Sequence, residues 1–451
     1  MSLSERADYV PITPIYPRLP RGPHRLGREE VLHNQRKRIF GGLLHAVDTY
    51  GYRNTTVAKV IAFAGVSRRS FYEQFAGRQD CLLAVFDATV ARCIAEVRNS
   101  AASTREAEDL LRAVLDGVLR FARSNEKAAR ITLCETPSAG GEGMSSIQKL
   151  IARCERSLHE RLYPDAPQSH STVALTRGVV GGLYCTISRL LSERTLEEVS
   201  VDELLGWIAL ADGFAAERLR ALSLTRRIAV TGAGQSMAEH LRREIDRAED
   251  DRTRMLFGAL YAGVSQPEAE RTPGAIAQAS GVSVDDFLES FADGEECYQA
   301  ATDMLSHALQ QTLEDYSSSS AEWVVSVRRS LDGLTSRLAE RPALALVLGL
   351  ELDVSESLAS ERGLREAYLL ASSLLDGAPA RVGGEHATHL VAGALWRIVN
   401  VLVVNRRTHL LPAFSEHLAY LVLASCVGPV EALRAFEETQ DAQAQIAAGV
   451  C

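Results

Sequence analysis

Along residues 55–82 the apolar positions Val57, Val60, Ile61 and Ala64 recur at helical spacing, which predicts a short helix with one apolar face. Thr55 or Thr56 caps its start through a side-chain hydroxyl, and Gly65 breaks it. Ser67 then caps a second short helix carrying Arg68, Arg69, Ser70, Phe71, Tyr72 and Gln74. Upstream, Val31, Ile39, Leu43, Leu44 and Val47 mark the inward face of a helix from about Glu29 to Tyr50. Downstream, Leu82, Leu83, Val85, Phe86 and Val90 carry a fourth helix from Arg78 to about Val97. From about residue 105 to 221 helix follows helix, with loops at 137–143 and 163–171 and no sustained strand alternation. Its last two helices are expected over roughly 172–192 and 200–221. The pattern predicts an all-α protein.

Two helices joined by a tight glycine-containing turn form a helix-turn-helix, whose second helix enters the DNA major groove. Arginines at the start of that helix suit base edges and phosphates, because the guanidinium fork donates bidentately to both. Arg68, Arg69 and Ser70 are therefore expected at base edges. Phe71 and Phe75 read as core, and Gln74 as either core or contact. Arg36, Lys37 and Arg38 read most simply as a solvated face.

Gly51-Tyr52, Thr55-Thr56-Val57, Ala64-Gly65-Val66-Ser67, Phe71-Tyr72, Phe75 and Arg78 fall where the TetR family of transcriptional regulators has them, so residues 33–95 resemble that family. The resemblance implies phosphate contacts from Thr56, Tyr72 and Arg78, with Ser67 at the same face. It also implies a helical body behind the reader that holds a small-molecule effector and pairs with a partner through its last two helices. Ligand binding would then swing the fourth helix and release DNA.

Charge sharpens the picture. The net charge of −9 argues against a protein devoted to nucleic acid, yet residues 1–80 hold 13 Lys+Arg against 7 Asp+Glu. That local +6 leaves −15 on the remainder, which fits one DNA-facing module on an acidic body. Residues 1–28 contain five prolines and four arginines between Pro11 and Arg28, and predict a mobile arm. The arm either reaches a minor groove or is merely solubilising. The N-terminus lacks the layout of a signal peptide, and no charge-free run approaches membrane-spanning length. Eight scattered cysteines without a CxxC or Cys/His cluster read as reduced thiols in cytoplasm. No metal or cofactor is expected, and no nucleophile–base pair or phosphate loop supports an enzyme.

The pattern then starts again. The shift along the chain that carries Arg36 to Arg252 lays Arg252-Thr253-Arg254-Met255-Leu256 on Arg36-Lys37-Arg38-Ile39-Phe40, and Ser280-Gly281-Val282-Ser283 on Ala64-Gly65-Val66-Ser67. Under the same shift Phe287, Phe291 and Cys297 fall on Phe71, Phe75 and Cys81, and Leu331-Asp332-Gly333 on Leu115-Asp116-Gly117. After a small deletion in the second copy, Gly393 and Leu395-Trp396 match Gly181 and Leu183-Tyr184. This register predicts a tandem duplication of one unit. The DNA-facing positions differ: Arg68, Arg69, Ser70, Tyr72 and Arg78 become Val284, Asp285, Asp286, Leu288 and Gly294. Residues 36–81 hold 8 basic and 3 acidic side chains, whereas 252–297 hold 3 and 8. The second reader should be repelled by DNA.

The expected organisation is an arm (1–28), a helix-turn-helix domain (29–97), a helical ligand-binding and dimerisation domain (98–225), a degenerate helix-turn-helix domain (226–305) and a second helical body (306–440). Phe121, Cys134, Tyr184 and Trp207, with Leu350, Trp396 and Tyr420 in the second copy, either line a pocket or are plain core. Glu135 and Glu351, alike in both copies, either meet a cationic ligand or take an outward or capping role. The expected function is a ligand-responsive repressor that binds double-stranded DNA as a homodimer, using the N-terminal reader alone. Two geometries stay open: the bodies of one chain pair with each other as a pseudo-dimer, or first copies pair between chains. The rival reading is a regulator whose acidic second copy binds a protein partner.

Overall fold

Helices follow the apolar spacing, and several end at a glycine, as at Gly51, Gly65, Gly281 and Gly428. The computed structural model describes residues 27–102, 107–164, 169–223, 236–265, 271–317, 322–348, 357–379 and 386–436, which form helices and turns and no strand. Most of the expected arm, together with Leu350 and Glu351, lies outside the described residues.

In chain order the first helices are α1 (Arg28–Tyr50), α2 (Val57–Ala64), α3 (Arg68–Tyr72), α4 (Arg78–Ala101), α5 (Ala107–Ser124) and α6 (Glu126–Arg130). A π-helical turn, Ile131–Glu135, and a 3-10 turn, Thr136–Ala139, lead into α7 (Gly141–Leu162), α8 (His170–Glu193), α9 (Val201–Ala209) and α10 (Gly213–Ser223). The remainder comprises α11 (Met237–Arg247), α12 (Asp251–Ser265), α13 (Pro273–Ser280), α14 (Val284–Ser290), α15 (Gly294–Ser317), α16 (Trp323–Glu340), α17 (Ser357–Leu374), α18 (Ala387–Val404) and α19 (Ser415–Val427).

The chain divides into two compact units. One holds the described residues up to Leu150 with Ile187–Leu205, and the other Ile151–Thr186 with the described residues from Gly206 onward. Helices α7, α8 and α9 each contribute to both, so the division does not follow the expected segments.

In the first unit Ile39, Phe40, Leu43 and Val47 of α1 meet Val60, Phe71, Phe75, Leu82 and Val85 in one core that also takes in Ala128 and Ile131. The helix-turn-helix therefore shares its core with the body. Burying such side chains stabilises by roughly 1.5–3 kcal/mol each before entropy is counted. Gly42 lets α1 cross α2 closely, since a Cβ there would lie 2.6 Å from the Val60 carbonyl oxygen.

In the second unit the frame of the reader recurs. The shift that carries Arg36 to Arg252 also carries both ends of α2 onto those of α13, and the starts of α3 and α4 onto those of α14 and α15. Thr272 and Ser283 cap α13 and α14 as Thr56 and Ser67 cap α2 and α3. Gly281 takes a φ of +73° where Gly65 takes +60°, a region that favours glycine. One element departs from this correspondence. The 23-residue α1 is answered by two helices, α11 and α12, because Asp250 caps α12 by accepting the Thr253 N–H at 2.8 Å.

The helix expected over 200–221 is likewise broken, into α9 and α10. Asp212 accepts the Ala215 N–H at 2.6 Å and starts α10. The carbonyls near the break are taken up by buried tyrosines: Tyr163 donates to Ala211 O at 2.6 Å and Tyr420 to Leu210 O at 2.9 Å. Burial pushes both phenols above their ordinary pKa, so they remain donors.

Within this unit the 170–186 part of α8 crosses α18 at facing glycines. A Cβ at Gly393 would overlap the Gly181 carbonyl oxygen, and a Cβ at Gly181 would overlap that of Gly393. Buried Arg397 of α18 donates from Nε to Glu155 Oε1 at 2.5 Å, and His417 of α19 lies 2.8 Å from Ser171 Oγ. Burial lowers the His417 pKa to about 4, so the ring is neutral near pH 7. Helix α18 and the stretch Thr408–Val427 are long and apolar enough to cross a membrane, but most of each is buried within the unit.

Candidate DNA interface

The short α2–α3 pair is built by its caps. Thr56 Oγ1 accepts the Lys59 N–H at 3.3 Å and starts α2. Thr55 is buried instead, its hydroxyl donating to Gly51 O at 2.8 Å. Ser67 Oγ accepts the Ser70 N–H at 3.0 Å and starts α3, and the two hydroxyls lie 2.9 Å apart. Phe71 and Phe75 face inward with ring centroids 5.7 Å apart and anchor the helix. That leaves Ser67, Arg68, Arg69 and Tyr72 exposed together, with Ser70 half-buried beside them.

Arg69 is 88% exposed and donates from Nε to Glu73 at 2.9 Å, a surface pair of little intrinsic strength. The Arg68 guanidinium lies over the Tyr72 ring at 5.7 Å, and Tyr72 is 47% exposed. Arg78 lies elsewhere. Its Nη1 donates to the carbonyls of Tyr52 (3.1 Å), Arg53 (3.0 Å) and Thr55 (2.6 Å), with its guanidinium 4.7 Å above the Tyr52 ring. Arg78 thus holds the α1–α2 loop in place. Arg36 and Arg38 correct the expectation of a simple solvated face. Arg36 lies over Phe75 at 4.8 Å, and Arg38 donates to Ala64 O at 2.9 Å and also to Gly65 O, capping the end of α2.

A charged clamp ties the reader to the body of the same unit. Asp48, at the end of α1, accepts from Arg130 at 2.8 Å and Arg194 at 2.9 Å and pairs with Lys127 at 2.8 Å. Arg194 reaches it from a backbone φ of +61°, a costly conformation for a side-chain-bearing residue. Glu135, on the π-helical turn, accepts the Tyr52 N–H at 3.0 Å. Burial alone would raise the Asp48 pKa, but hydrogen bonds and charge from Lys127 and Arg130 hold it below the ordinary carboxylate value. The clamp's stabilisation is therefore complete above about pH 4 and fades as pH falls through the lower folded-state pKa. Asp48→Asn should cost about 1–3 kcal/mol near pH 7, and the gap to the parent should close in acid. Urea midpoints measured from pH 7 to pH 3 check this; parallel curves would contradict it.

On α14 the equivalent surface is apolar and acidic. Leu288 is 50% exposed, Val284, Asp285 and Asp286 are exposed, and Asp286 accepts the Ser283 hydroxyl at 2.6 Å. Among the candidate pocket residues, Tyr184 and Trp396 are brought together, their rings stacked 5.8 Å apart. Phe121 is buried beneath the Arg92 guanidinium, and Cys134 Sγ lies 3.2 Å from Ser188 O; both belong to the other unit. Trp207 donates to Val179 O at 3.0 Å. No sequence signal marked Arg38, Asp48 or Arg194, because their partners lie far along the chain.

A capped two-helix reader with an arginine-bearing exposed face, braced by a third helix, defines a helix-turn-helix DNA-binding module. Residues 47–85, from the last turn of α1 into α4, match the bacterial regulatory proteins of the tetR family. That match supports a DNA-binding transcriptional regulator. No curated protein matches the chain.

Proposed function

We propose that this protein is a tandem-duplicated, ligand-responsive repressor that reads duplex DNA with α2 and α3 alone. The carrying observation is the contrast between two similarly framed surfaces. Capped by matching serines, α3 displays Arg68, Arg69 and Ser70 where α14 displays Val284, Asp285 and Asp286. Nonspecific affinity rests largely on neutralised phosphates, so only the first surface attracts DNA. The duplication reading is supported by the single offset that element bounds, caps and glycines share. Thr56, Ser67, Ser70 and Tyr72 flank the arginines at bases and phosphates, while Arg78 acts by shaping the loop that carries Thr56. A small-molecule effector bound in a body and a cytoplasmic site of action follow from the family resemblance.

Selection from a random duplex pool tests the reading: the intact protein should enrich a defined sequence. The Asp285→Ala, Asp286→Ala double variant should bind that sequence at least as well as the parent, because it removes only repulsion. An unenriched pool would refute the regulator reading. A second reading, in which the acidic copy docks a protein, is favoured by exposed Val284 and Leu288 one helical turn apart on α14. It predicts that the aspartate variant loses a partner while its DNA affinity is retained.

A further inference from the structure

The crossing of α8 and α18 has an exchange pattern that identifies its symmetry. The offset that equates Gly181 with Gly393 also equates Tyr184 with Trp396. Gly181 faces Gly393 backbone to backbone, and Tyr184 stacks on Trp396, so each residue meets its own equivalent. The neighbours exchange in pairs. Gly178 lies against Ala394 (a Cβ at 3.5 Å) and Gly182 against Leu390 O (a Cβ at 2.6 Å). Under the same offset those two contacts are images of one another. Cys185 against Gly393 (2.7 Å from a Cβ) and Arg397 against Gly181 form a second such couple. Self-contacts flanked by reciprocal contacts are the signature of an isologous interface around a two-fold axis.

Such a surface ordinarily joins two identical chains. Here both sides come from one polypeptide, and Trp396 and Arg397 at its centre are only 2% and 3% exposed. We infer that the chain fills its own dimer seam in cis, and that one chain therefore binds DNA alone, on a single half-site rather than a palindrome. The inference rests on the reading of α3 as the reader. A dimer joined through this seam would present two readers, whereas α14 carries Val284 and Asp285 in place of the two arginines. A second chain cannot add a reader through a surface already covered.

Two measurements test this. Native mass spectrometry of the free protein should give one chain, and a duplex carrying one selected half-site should bind one chain. Adding an inverted second half-site should leave the affinity per half-site unchanged. Two chains in the free protein, or cooperative loading of two chains on the inverted pair, would overturn the inference. The second measurement uses the full-length Tyr184→Cys, Trp396→Cys variant treated with a short bismaleimide, with each single cysteine variant as control. The expected product has the mass of one chain with both introduced thiols joined. A two-chain product above the controls would show the seam forming between chains and would overturn the proposal. If α3 were not the reader, selection would fail while the free mass and cross-link stayed as expected, so the two readings fail separately.

Discussion

With Arg68 and Arg69 both replaced by alanine, sequence-specific binding is expected to fall by roughly 30-fold to more than 10,000-fold. Each good base contact contributes about 1–3 kcal/mol of discrimination, and two are removed. The fold should survive, because α3 is held by buried Phe71 and by the Ser67 cap, neither of which the change touches. Alanine is also the residue best suited to a helix. The Arg69–Glu73 pair does not hold Arg69 away from DNA, since an exposed pair contributes at most about 1 kcal/mol. Fluorescence anisotropy across a salt series, on selected and scrambled duplexes, separates the effects. Specific affinity should converge on nonspecific affinity, with a shallower salt dependence. Unchanged discrimination would remove α3 as the reader.

The second large effect is expected at the glycine crossing. In an unconstrained helix, Gly→Ala gains up to about 1 kcal/mol from helix propensity. At Gly393 the added Cβ would overlap the Gly181 carbonyl oxygen and lie 2.7 Å from Cys185 Cβ. Neither backbone can yield without parting α8 from α18, and overpacking of this kind costs about 1–3 kcal/mol. Gly393→Ala should therefore destabilise the protein, opposite in sign to propensity, and Gly181→Ala should do the same. The double variant should cost clearly less than the sum, because the helices part once. Urea unfolding followed through Trp396 and Trp207 fluorescence measures all three. Additive or stabilising effects would contradict the close crossing.

Local features of the helix-turn-helix were legible in the sequence. Helices α2, α3 and α4, the Ser67 cap and the Gly65 break follow from neighbours within four residues, where hydroxyl chemistry and glycine's freedom decide the backbone, whereas the choice of Thr56 over Thr55 as the first cap needed the structure. The features that escaped depend on distant partners. The split of α9 from α10 relies on Tyr163 and Tyr420 reaching freed carbonyls. Glu135 offered either a ligand or a capping role, and its carboxylate takes the Tyr52 N–H, a partner 83 positions away. Tyr184 and Trp396 stood as pocket or core positions; their stacking across the α8–α18 crossing depends on two segments that no local pattern brings together.

The α8–α18 crossing also bears on copy number. A regulator assembled from separate chains comes apart on dilution, so its active fraction tracks how many molecules a cell holds. Where both sides of the crossing lie on one polypeptide, association is intramolecular and set by the connecting chain instead of by expression level. A handful of molecules then carries the same assembled fraction as a thousand. The two sides are also released from matching each other residue for residue: a tyrosine can face a tryptophan, and an arginine can seek a glutamate on one side alone.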